Sequence, residues 1–259
     1  MTRVSVIIGV DDEMAYLLPF TLDSIDAQDF PDFEMVLVDG TRRGLALHLY
    51  PSEKVRVIRA VDLGLFAMFN RGASHAGGDL LLFLRPGEYV ISRHAFAYVD
   101  KVSRDYAEPD LIYGGCLVRH RFTGPTTFLE SLSAETLQRG RLPATLQPYW
   151  FRKESFHLLG GFKERYRVQG GLELICRICS TDALRKVRMN RIFTDSEYRK
   201  IPYGRVVTEF FETFSVLLLY FGLTYPMMGW FGSNIARLFN WTKRMLRASF
   251  LGRAARAAV

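Results

Sequence analysis

The sequence predicts an α/β protein built on a doubly wound, mostly parallel sheet flanked by helices. Three observations carry this. Short β-branched runs alternate with amphipathic segments through the first hundred residues, no internal repeat or low-complexity tract interrupts them, and acidic side chains gather where the runs end.

The elements follow in order. Val4 to Ile8 reads as the first strand, and Leu18 to Gln28 as a helix with Pro19 in its first turn, where the missing N–H costs nothing. Glu34 to Val38 and Val55 to Ile58 are the next strands, Leu65 to His75 a second helix, and Leu80 to Leu84 the fourth strand. Leu111 to Val118 is a further strand, followed by an irregular stretch rich in Thr, Pro and Gly and then a helical pattern from Gly171 to Leu184. The character changes after Phe210: Phe214 to Phe231 is 18 residues without a charge, interrupted by Gly222, Pro226 and Gly229. Those breaks leave pieces that suit in-plane helices better than a span of about 20 residues. The expected division is a domain of residues 1–205 and a C-terminal membrane-associating helical appendage of 206–259.

Composition narrows the function. With 49% hydrophobic and 24% charged residues the chain is neither disordered nor polytopic. Arg237, Lys243, Arg244, Arg247, Arg253 and Arg256 follow one another without an Asp or Glu, which points the basic end at an anionic surface. No zinc-finger spacing or RNA-binding signature accompanies them, so anionic lipid is favoured over nucleic acid. Cys116, Cys176 and Cys179 give no disulfide framework, and Cys176 and Cys179 read as two thiols one helical turn apart, with no second ligand pair for a metal. The β-like run begins at Val4 with no signal peptide before it, so the expected location is cytoplasmic, peripherally associated with the inner face of the membrane.

Ligands of doubly wound sheets bind outside the carboxyl ends of the strands. Here those ends carry Asp11 and Asp12, then Asp39, then Asp62, then Arg85 to Glu88. Any one of them is ordinary as a helix cap or loop residue, whereas acidic groups at four successive strand ends favour a site.

Four ordered blocks over about residues 1–185 resemble bacterial family 2 glycosyltransferases, in particular the exopolysaccharide and colanic-acid type subgroup. VSVIIGVDDE is similar to the family's VSVIIPTYNE, with Gly9 for proline and Asp12 for asparagine; Thr21 to Gly40 is similar to the following helix, turn and second strand. DLGLFAMFNRG, Asp62 to Gly72, resembles DxGIYDAMNKG, with Ala67 replacing an aspartate, and Ala76 to Glu88 resembles AxGDxxxFLxxxD. Leu142 to Val168 is similar to the acceptor-side segment, with Leu146 where relatives have histidine and Lys163 where they have aspartate.

The resemblance implies a GT-A-type fold and an inverting hexosyl transfer from a nucleotide-sugar, UDP-sugar favoured, to a lipid-linked or glycan acceptor in polysaccharide biosynthesis. It implies nucleotide contacts from Asp12, Asp39, Asp62, Asn70, Arg71 and Arg85, and acceptor-side roles for Gln147 and Arg152. It puts a divalent cation, Mg²⁺ or Mn²⁺, at Glu88, the one carboxylate left in that loop, while Arg85 offers phosphate a bidentate guanidinium instead. The family's general base falls on Gly171; Glu173 is the nearest carboxylate, about 200° around a helix from that face. These replacements keep open a second reading, a non-catalytic glycosyltransferase-like binding or scaffold protein. A nucleotidyltransferase fits the acceptor-side block poorly.

Overall fold

A computed structural model describes residues 2–45, 53–120, 124–129, 131–138, 146–196 and 203–224, and beyond these 228–229, 231–232, 234–235 and 239. The basic residues of the tail, Arg237, Lys243, Arg244, Arg247, Arg253 and Arg256, lie outside the described residues.

The first half follows the expected pattern. Strands β1 (Val4–Val10), β2 (Phe33–Asp39), β3 (Val55–Arg59) and β4 (Leu80–Leu84) pair in parallel in the order β3-β2-β1-β4. Helices α1 (Leu18–Asp26) and α2 (Leu65–His75) cross between them. Strand period sends alternate side chains to opposite faces. Ile7, Val36, Val38, Leu81 and Phe83 therefore pack on one side with Phe66 and Phe69 of α2. Val6, Ile8, Met35, Leu37 and Leu82 pack on the other with Leu18, Leu22 and Ile25 of α1. Burial on both faces explains why these strands read as continuous apolar runs.

The second half of the sheet is mixed. After β5 (Glu88–Val90) and α3 (Ala95–Asp105) come β6 (Leu111–His120), β7 (Gly124–Phe128), α4 (Ala134–Gln138), β8 (Tyr149–Arg152) and α5 (Lys153–Leu158). Then follow α6 (Gly170–Cys179), β9 (Lys186–Ser196) and α7 (Tyr203–Phe221). The order continues from β4 through β8, β6 and β9 to β5, with β8 antiparallel to both β4 and β6.

Most element ends lie within two residues of expectation, α1 for instance ending at Asp26 instead of Gln28, and two boundaries differ by more. Helix α6 stops at Cys179 instead of Leu184, because Ser180, Thr181 and Asp182 compete for backbone hydrogen bonds, and the Thr181 hydroxyl donates to the Arg177 carbonyl. The 205/206 division falls inside α7, which packs against α6 and α4 and buries Phe210, Thr213, Val216 and Leu217. Its outer face carries exposed Phe211, Leu218 and Leu219. Among the described residues no helix is long and apolar enough to cross a membrane.

Candidate functional site

Strand order reverses between β1 and β4: the chain steps outward from β1 through β2 to β3, then returns to add β4 on β1's other side. Such a switch point leaves an open crevice at the carboxyl ends of the two strands. A partly open cleft lies there, floored by Phe83 and by Leu65, Phe66 and Phe69 of α2. Its charged lining is Arg85 and Glu88 from the loop after β4 and Arg205 from α7; Leu146, Gln169 and Gly171 close the other wall.

Helix α7 shapes that wall. The Glu212 carboxylate accepts the backbone N–H groups of Arg167, Val168 and Gln169 at 2.8, 2.9 and 2.8 Å, a charge seated on the orphan donors just ahead of α6. Val168 and Gln169, which it holds, face the cleft.

The acidic strand ends mostly knit loops. Asp39 is buried and accepts four hydrogen bonds, from the Thr41 N–H and hydroxyl, the Leu45 N–H and Arg59. Asp12 accepts the Arg42 N–H at 3.1 Å, joining the loop after β1 to the loop after β2. Asp62 is exposed and holds a left-handed backbone, φ 63°, in the turn that launches α2. Burial alone would raise the Asp39 carboxyl, but the bonds from Thr41, Leu45 and Arg59 outweigh it and hold the group below the usual carboxylate range. A depressed carboxyl stabilises the fold above its unfolded pKa, and that contribution disappears as pH falls through the folded value. Asp39→Asn should therefore cost roughly 1–3 kcal/mol at neutral pH, and its deficit against the parent should shrink as pH drops below about 4. Urea unfolding at pH 7 and pH 3 checks this; an equal gap at both values would refute it.

The structure differs from the sequence expectation at several residues. Asn70 does not line the cleft: its amide donates to the Phe162 carbonyl and to Glu164 and accepts the Phe162 N–H, bracing α2 against the loop after α5. Arg71 is exposed on α2 and also stands outside the lining. Gln147 is fully buried beside the Cys116 thiol and has no surface to offer an acceptor. Arg152 pairs with Leu80 at the amino end of β4, about 13 Å along the strand from the cleft, because β8 runs antiparallel to β4. It binds Glu154 and the Glu108 carbonyl there.

Glu173, expected as the stand-in base, lies around α6 from Gly171, as the ~100° step per residue demands. It is 1% exposed, pairs through both oxygens with Arg177, and accepts the Tyr220 hydroxyl at 2.7 Å. Arg205 is the residue sequence reasoning missed; nothing in its local pattern separates it from any other helix arginine.

The metal expectation meets a poor donor set. Among the described residues no three His, Cys, Asp or Glu side chains gather as a cation site. Glu88 is the one carboxylate lining the cleft, its Oε2 accepts the Arg85 N–H at 2.8 Å, and two guanidiniums share the lining with it. One negative against two positive charges suits an anion better than a dication. The two CxxC thiols are likewise no metal pair: burial pushes both Cys176 and Cys179 above the usual thiol range, and both remain free.

No family model matches the chain. Among solved structures the fold is similar to S. aureus TarS 1-349 in complex with UDP, with TM-score 0.65 and 15% identity. That alignment covers 85% of this chain and 65% of TarS 1-349, so the chain spans just under two thirds of it. The same protein in complex with UDP-GlcNAc aligns with TM-score 0.64 over 88% of this chain and 71% of that one. At such identity the likeness shows the fold. Sequence relatives are nearer: the PGL/p-HBAD biosynthesis glycosyltransferases of Mycobacterium tuberculosis and Mycobacterium bovis are 30% identical over 179 residues, 66% of this chain and 68% of theirs. With that extent of identity, on a fold that TarS shares, the chain belongs to the family of these mycobacterial glycosyltransferases.

Proposed function

We propose that this glycosyltransferase moves a sugar from a UDP-sugar to a lipid-linked or polysaccharide acceptor at the cytoplasmic membrane face, with inversion at the anomeric carbon, as family 2 GT-A enzymes do. The observation that carries it is the cleft at the β1/β4 switch point, where Arg85 and Arg205 face the place a leaving diphosphate would occupy. TarS, which shares the fold, is known in complex with UDP and with UDP-GlcNAc. In the transfer an acceptor hydroxyl oxygen bonds to the anomeric carbon as the bond from that carbon to the diphosphate breaks. UDP leaves with the electron pair, and the hydroxyl proton passes to a carboxylate or to water. Glu88 is the carboxylate within the cleft, and we assign it the proton rather than a metal. Asp12 and Asp39 hold the loops after β1 and β2, which border the nucleotide in this reading, while Asp62 stands in the turn that leads into α2.

Membrane attachment rests on the uncharged stretch from Phe214 and the basic tail. Exposed Leu218, Leu219 and Leu223 offer apolar surface, and each near-surface Lys or Arg adds about 1 kcal/mol of attraction to anionic lipid. A second reading, a binding protein without turnover, is favoured by one contact: Leu146 packs against Gly171 where relatives carry a histidine and the base.

One experiment separates these readings. Purified chain is incubated with UDP-, GDP- and CMP-sugars and a lipid extract, with and without vesicles rich in anionic lipid. UDP release that rises when vesicles are present is expected. UDP binding without any release establishes the binding protein, and activity indifferent to vesicles removes the membrane from the scheme.

A further inference from the structure

The cleft brings together two arginines 120 positions apart in sequence, 85 and 205. Among the described residues neither guanidinium has a hydrogen bond or ion pair, whereas Arg3, Arg59, Arg119 and Arg177 each pair with a carboxylate. Arg85 is close enough to act on its neighbour: burial first, and then Arg85, lowers the affinity of Arg205 for its proton. Asp11, Glu13 and Glu209 act on Arg205 only through space. Two like charges held in one cleft without partners are a standing cost to the fold unless an anion joins them.

We infer that Arg85 and Arg205 together bind the diphosphate of the nucleotide, so that the chain holds its donor without a divalent cation, with α7 supplying half of the grip. This rests on the reading of the cleft as a nucleotide-sugar site. The chemistry is consistent at each point. A guanidinium presents paired N–H donors that match phosphate oxygens, and two of them neutralise the same charge as one Mg²⁺ or Mn²⁺ ion. The composition of the segment after β4 agrees with this, because Arg85 opens it and Glu88 is its one acidic residue. Glu88 is thereby left for the proton. The placement of Arg205 on α7 also gives that helix a role in the site: Glu212, two turns further on, holds Val168 and Gln169 at the opposite wall, so donor binding and the positioning of the cleft depend on one helix.

The test is calorimetric titration of the full chain with UDP and with UMP, in EDTA and in Mn²⁺. UDP is expected to bind in EDTA more tightly than UMP, with Mn²⁺ changing its affinity by less than about threefold. Arg85→Ala and Arg205→Ala should each weaken UDP about 10- to 100-fold and UMP much less. Arg205→Lys, which keeps charge but not the paired donors, should fall between parent and alanine variant, and its melting temperature reports that the fold is intact. UDP binding that appears only with Mn²⁺, or an unchanged UDP affinity in Arg205→Ala, overturns the inference and leaves the glycosyltransferase reading standing. UDP bound under neither condition overturns both.

Discussion

Glu173→Ala is expected to destabilise the fold by about 3–5 kcal/mol, the range for removing one partner of a buried ion pair. Glu173 is 1% exposed and the Arg177 side chain 14%. The carboxylate binds the guanidinium through both oxygens and also accepts the Tyr220 hydroxyl, whose proton is held more tightly because burial, and then Glu173, push the phenol up. Alanine would leave Arg177 buried with only the Leu159 carbonyl, and would remove the Tyr220 hydrogen bond between α7 and α6. For a chain of this size each kilocalorie moves the melting temperature by roughly 2–4 °C, so a drop on the order of 10 °C is expected in circular dichroism melts. Tyr220→Phe, removing one hydrogen bond, should cost about 1 kcal/mol. A Glu173→Ala protein that melts like the parent yet has lost all turnover would return Glu173 to the role of base.

Restoring the base requires two substitutions. A Cβ at position 171 would lie 2.8 Å from the Leu146 Cδ2 and 3.0 Å from its Cγ, so Gly171→Asp alone forces Leu146 aside and should express poorly or melt early. Leu146→His with Gly171→Asp replaces a branched side chain by a flat one and puts both family residues back at the cleft wall. A positioned general base contributes on the order of 10²–10⁴ in rate; with Glu88 taking the proton the double variant should turn over at close to the parent rate, and a rise of that size would remove the role from Glu88. Single-turnover assays with a UDP-sugar decide it. Stable double-variant protein with unchanged turnover would show that another group, Glu88 first, already serves.

Much of the first half of the sheet was legible because its physics is local. The runs ending at Val38 and Leu84 are apolar on both faces, which only a covered parallel sheet allows, and Leu65–His75 came out with the expected bounds. The helix geometry separating Gly171 from Glu173 was legible too, since a rotation of about 100° per residue needs no tertiary information. Gln147 and Arg152 were misplaced for the converse reason: a motif says that two residues lie near each other in sequence, not which way their strand runs. Once β8 turns antiparallel to β4, Arg152 is carried to the far end of the sheet.

The sequence by itself determined the fold class and the changes at Leu146, Arg85 and Gly171, and it pointed to the carboxyl ends of the strands for a candidate site. Strand pattern, turn chemistry and motif spacing act over a few residues and survive without a partner. Only the tertiary structure decided which charges meet. It took Glu173 out of the cleft and into an ion pair, gave Asp39 to its own loop, and brought Arg205 beside Arg85 from 120 residues away. The last of these depends on the docking of α7 against α6, a contact with apolar burial of Val216 and Leu217 that no local pattern around Arg205 encodes.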